Sequence, residues 1–124
     1  MGTKDFDDID SSLVNPAKIL DYLVSIERIE KWGKDEIFVN KNEVMQKHIL
    51  FWQIVTKFYF QLRSDLVANN QGYAGLVFRL AADKVDEIIA TQEHQFIFAG
   101  FNALTEAEQK ILFTFEKNHI AKIY

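Results

Sequence analysis

The stretch from Ile49 to Phe60 reads Ile-Leu-Phe-Trp-Gln-Ile-Val-Thr-Lys-Phe-Tyr-Phe, and nine of its twelve residues are apolar. A helix built on it is apolar around most of its circumference and has to be covered, by its own chain or by a partner. Its polar residues do not scatter. Gln53, Lys57, Gln61 and Ser64 fall at spacings of 4, 4 and 3, which places them on one narrow stripe. Phe51, Trp52, Phe58, Tyr59 and Phe60 occupy much of the remainder. Asn40 to Glu43 has the pattern of a capping box, and Asn69-Asn70-Gln71-Gly72 has turn chemistry, so the helix is predicted from Lys41 to about Ala68.

The flanking segments also read as helices. Asn15-Pro16 marks a start, with Asn as cap and Pro at the first helical position. Ile19, Leu20, Leu23, Ile26 and Ile29 then form one apolar stripe that Gly33 is placed to end. Residues 35–39 are expected as a short connector. A further helix is predicted from near Tyr73, carrying Leu76, Val77, Leu80, Ala81, Val85, Ile88 and Ile89, while Phe96-Ile97-Phe98 fits either a helix or a short extended piece. Thr105-Glu-Ala-Glu108 is a second capping box, opening a last helix with Ile111, Leu112, Phe115, His119 and Ile120 on one side. The expected fold class is all-α, a compact bundle of four or five helices around a long central aromatic-rich helix. Residues 1–12 are expected as a flexible acidic lead-in and residues 13–124 as a single helical domain.

Composition narrows the function classes. A net charge of −4, with lysines scattered at positions 31, 34, 41 and 47, offers no basic run for nucleic acid. With no cysteine, disulfides and thiolate zinc sites are excluded. The opening residues carry Asp5, Asp7, Asp8 and Asp10 in place of a basic stretch and an apolar core, so no secretory signal is expected. Lys47 and Lys57 interrupt the apolar run well short of a membrane span. The expectation is a soluble cytoplasmic protein with no cofactor, no nucleic-acid partner and no membrane.

The chemistry-bearing residues form no complete motif. His48, His94 and His119 make no His-x₃-His pair, and Glu43 lies five residues before His48. Gly72-Tyr-Ala-Gly75 lacks the Lys-Ser/Thr tail of a phosphate loop, and no serine sits in a nucleophile-elbow context. Arg79 and Asp83, four apart, are expected to form a surface pair.

Two fragments nevertheless resemble a known family. Ile26-Glu-Arg-Ile-Glu-Lys-Trp32, followed after a gap by Asn42-Glu-Val-Met-Gln-Lys-His48, and then Leu80-Ala-Ala-Asp-Lys-Val-Asp86, are similar to segments of the HD-domain phosphohydrolases of the 5′-deoxynucleotidase-like branch. The resemblance covers about half the chain and implies His48 and Asp83 as metal ligands. The chain departs from that pattern where it matters most: no histidine is followed by aspartate, and the segment carrying the central ligands and the acidic catalytic residue is missing. Two ligands hold a divalent ion poorly, since such ions take roughly four or more.

The function expected from the sequence is therefore a non-catalytic helical protein-binding module: a regulator, inhibitor or assembly subunit. Its partner is another protein, a second copy, or both. The binding face is expected on Phe51, Trp52, Phe58, Tyr59 and Phe60, because buried aromatic anchors dominate interface energetics. The alternative is a reduced HD-type metal-dependent nucleotide phosphohydrolase or nucleotide binder using His48 and Asp83.

Overall fold

Local signals fix several helix starts. In the computed structural model, which describes residues 2–32 and 41–124, Pro16 occupies the first helical position, and the Asn15 side chain accepts from the backbone N–H of Lys18 at 3.2 Å. The elements are α1 (Thr3–Ser11), α2 (Pro16–Trp32), α3 (Lys41–Ala68), α4 (Ala74–Asp83), α5 (Val85–Ala90), β1 (Phe96–Phe98), α6 (Glu106–Lys117) and β2 (Ala121–Ile123). The class is all-α, with six helices and two three-residue strands among the described residues. Gly33, the 35–39 connector and the Asn40 cap lie outside the described residues.

The chain divides into two units of internal packing. One joins Met1–Leu13 to Gln71–Tyr124, and the other is Val14–Asn70. In the second unit α2 packs along α3, Leu20 and Tyr59 are buried, and Ile19 and Leu23 are half-buried. Helix α3 ends with Asn70 at φ 54°, a left-handed conformation that asparagine tolerates well.

The first unit overturns the expected acidic lead-in. Residues 3–11 form α1, which docks on α4 and α6 and buries Phe6, Ile9 and Asp10. The acidic side chains satisfy specific donors rather than repelling one another in water. Asp5 accepts from the backbone N–H of Gly2 at 2.7 Å at the head of its own helix. Asp7 accepts from the N–H of Gly75, supplying the N-terminal cap that Tyr73 does not give α4. Asp10 takes the phenolic hydroxyl of Tyr73 and lies 2.6 Å from Nε of Arg79, whose Nη2 donates to the carbonyl of Ile9 at 3.0 Å. Arg79 is therefore buried against Asp10, not paired with Asp83 on the surface as its spacing suggested. Gly75 makes this docking possible: a Cβ there would stand 2.3 Å from the carbonyl oxygen of Asp7.

The predicted helix after Tyr73 is two helices. The break falls at Lys84, whose φ of −104° and ψ of 6° end α4 and begin α5, and Asp86 and Glu87 lie in the first turn of α5, where its dipole favours anions. The bend lets Val85 and Ile89 join Phe115 and Ala121 in the core. Phe96-Ile97-Phe98 takes the extended alternative and pairs in parallel with β2. The rings of Phe96 and Phe98 meet Phe115 edge-on at 5.4 and 5.8 Å, a geometry that aromatic quadrupoles favour.

The Thr105–Glu108 capping box forms as read, with Thr105 Oγ1 accepting from the N–H of Glu108 at 3.3 Å and Glu108 Oε2 accepting from the N–H of Thr105 at 2.8 Å. The far end of α6 differs from the expectation, because the helix stops at Lys117 and excludes His119 and Ile120. His119 sits at φ 59°, its N–H donates to the Glu116 carbonyl at 2.9 Å, and the N–H of Ile120 donates to the Phe115 carbonyl at 3.1 Å. That is a Schellman ending, which turns the chain back so that β2 can lie beside β1. A glycine fits this left-handed position without steric cost. His119→Gly is expected to raise stability by up to about 1 kcal/mol in urea titration.

Candidate functional site

A helix that packs on one side leaves its other side to solvent, and the 3.6-residue repeat decides which residues fall where. In α3 the buried and half-buried residues include His48, Trp52, Val55, Tyr59, Leu62 and Leu66, spaced by threes and fours. The exposed apolar residues form two adjoining rows that share Ile54 and Phe58, one through Leu50 and one through Phe51; Leu50, Phe51, Ile54 and Phe58 are exposed by 56, 48, 56 and 57 %. Their rows run together as one stripe down the solvent side. Phe60 and Val67 are also exposed, on a different flank of the helix.

The five aromatic residues singled out from the sequence therefore separate. Phe51, Phe58 and Phe60 are exposed, Trp52 is half-buried, and Tyr59 is 1 % exposed. Tyr59 is a core residue and leaves the candidate face. Trp52 is only partly available: its indole Nε1 is buried and meets no acceptor among the described residues. Adjacent aromatics point in different directions on a helix, so Phe51 meets Trp52 edge-on at 5.4 Å and Phe60 meets Tyr59 edge-on at 5.1 Å. Leu50 and Ile54, which sequence reasoning passed over in favour of larger rings, complete the stripe. Their spacing to Phe58, four and four, was the signal that marks them.

The polar stripe Gln53, Lys57, Gln61 and Ser64 is exposed along its whole length and borders this surface. An open depression beside it is lined by Ile54, Thr56, Lys57, Phe58, Phe60 and Gln61. Its walls carry one ammonium, one amide and one hydroxyl, and no carboxylate or imidazole, so it offers a contact surface and no acid–base pair. Charged residues close the stripe at both ends. Lys47 pairs with Glu43 at 2.9 Å on one side, and on the other Asp65 accepts from Gln61 Nε2 at 2.8 Å.

His48 is half-buried in α3, within the unit Val14–Asn70, whereas Asp83 is exposed at the end of α4 in the other unit. Asp83 lies 3.8 Å from Nζ of Lys110, an ammonium of its own unit. Among the described residues no group of three or more His, Asp or Glu side chains is arranged to hold a metal ion. Among those residues, too, no helix is long and apolar enough to cross a membrane. No family model, no curated protein and no solved structure matches the chain.

Proposed function

We propose that this chain is a non-catalytic protein-binding module, a regulator, inhibitor or assembly subunit that engages its partner through the solvent side of α3. The observation that carries the reading is the stripe Leu50, Phe51, Ile54 and Phe58, with about half of each residue open to water. Single exposed apolar residues are ordinary on protein surfaces. A contiguous row of large ones on a regular element is where interfaces form. Polar neighbours border it, as they rim a protein interface.

Ile54→Asp tests the proposal. The residue is 56 % exposed, so the change leaves folding nearly untouched, within roughly 0.5 kcal/mol plus a few tenths for helix propensity. A charge in the middle of an apolar interface is expected to weaken association at least about tenfold. The measurement is affinity purification from the native host with mass spectrometry, alongside sedimentation of the purified chain. A wild type that neither self-associates nor retains a partner, or a variant that associates as well as wild type, would defeat the reading.

A further inference from the structure

Resting on that reading of α3, we propose that the occupant of the face is a second copy of this chain, with the two α3 helices antiparallel and Ile54 of each copy set against Phe58 of the other.

The charge distribution along the stripe carries the argument. Its N-terminal end bears the ion pair of Glu43 and Lys47, in which Lys47, 71 % exposed, is the member beside the apolar residues, and its C-terminal end bears the exposed Asp65. Leu50, Phe51, Ile54 and Phe58 lie between them. A surface with a cation at one end and an anion at the other is self-complementary under twofold rotation, which is the symmetry of an isologous dimer. Parallel helices in register would instead stack Lys47 on Lys47 and Asp65 on Asp65, and like charges in register disfavour that pairing.

The same charges select the register. With Ile54 against Phe58, Phe51 lies on the aliphatic stem of Gln61 and Lys47 reaches Asp65, twice by symmetry. Setting Ile54 against Ile54 would move Asp65 onto Glu43 and replace both attractive pairs with acidic repulsion. From Lys47 to Asp65 the contact runs about 27 Å, at about 1.5 Å per residue. One helix face of that length buries less than the roughly 800 Å² per partner of a standard interface. Lys57 of both copies flanks the centre, which weakens the pair further. The dimer is therefore expected to dissociate on the order of ten micromolar.

Sedimentation equilibrium on wild type, Lys47→Glu, Asp65→Lys and the double variant tests the arrangement, with circular dichroism confirming equal helicity. Wild type is expected to dimerise, each single reversal to weaken the dimer about tenfold, and the double reversal to restore it to within about threefold of wild type. A double variant as weak as the singles would overturn the antiparallel register, because parallel or unrelated contacts gain nothing from exchanging the two charges. A wild type monomeric at about 200 µM would overturn the second copy as occupant. If Ile54→Asp then also abolished capture of a host protein, the face would keep its role with a different partner; if it did not, the reading of α3 would fail as well.

Discussion

Replacing Asp10 with alanine is expected to destabilise the protein by about 3–5 kcal/mol, as removal of one partner from a buried ion pair does. The Asp10 side chain is fully buried, and that of Arg79 is 10 % exposed. The substitution leaves the guanidinium without its carboxylate and strips the hydroxyl of Tyr73 of its acceptor. Both groups then lose the partner that offsets much of their desolvation cost, while Arg79 keeps its donation to the Ile9 carbonyl. Urea denaturation of the single variants and of Asp10→Leu combined with Arg79→Met separates the terms. The double variant is expected to recover part of the loss, because it removes both charges together. Recovery stays incomplete, since the Tyr73 hydroxyl and the Ile9 carbonyl still lose their partners. A loss below about 1 kcal/mol for Asp10→Ala would mean that water reaches the pair.

Removal of residues 1–12 is expected to have the larger effect and to abolish cooperative folding of residues 71–124. Phe6 and Ile9 are 2 and 8 % exposed, and burying each contributes roughly 1.5–3 kcal/mol. The loss of Asp10 adds the orphaned Arg79, and the loss of Asp7 uncaps α4. Together these approach the entire stability of a typical small domain, about 5–15 kcal/mol. Limited proteolysis checks the outcome. The truncated protein should be cut rapidly within α4 and α6, sites that the intact protein protects. Wild-type protection in the truncated form would show that α1 is an accessory to the unit.

The same segment shows where sequence reasoning reaches and where it stops. Features written in neighbouring residues were legible: the Asn15-Pro16 start, the Thr105–Glu108 box, and the C-terminal end of α3. Each rests on a hydrogen bond or a dihedral preference spanning three or four positions. The role of the acidic start was not legible, because its partners Tyr73, Gly75 and Arg79 lie 63 to 70 residues away along the chain. The Lys84 break and the Phe96–Phe98 pairing likewise depend on Phe115, which only the assembled core supplies. On α3 the repeat placed the polar stripe, but ring size drew attention to Tyr59, which the core takes, and away from Leu50 and Ile54. No shared motif was available to assign chemistry to His48 or Asp83.

The interleaving of the two units has a consequence for how the chain folds as it is made. Val14–Asn70 is continuous, so α2 can meet α3 as soon as both have left the ribosome. Helix α1 emerges before them, yet the core it belongs to is encoded after residue 70. At roughly 5–20 residues per second, Phe6 and Ile9 wait for several seconds before Leu76, Arg79 and Leu112 appear. A nine-residue helix is too short to hold its shape alone over that interval. The segment therefore spends its early life as an open, acidic strand of chain. Its aspartates keep it soluble then, and two of them later become the fastenings of the finished fold.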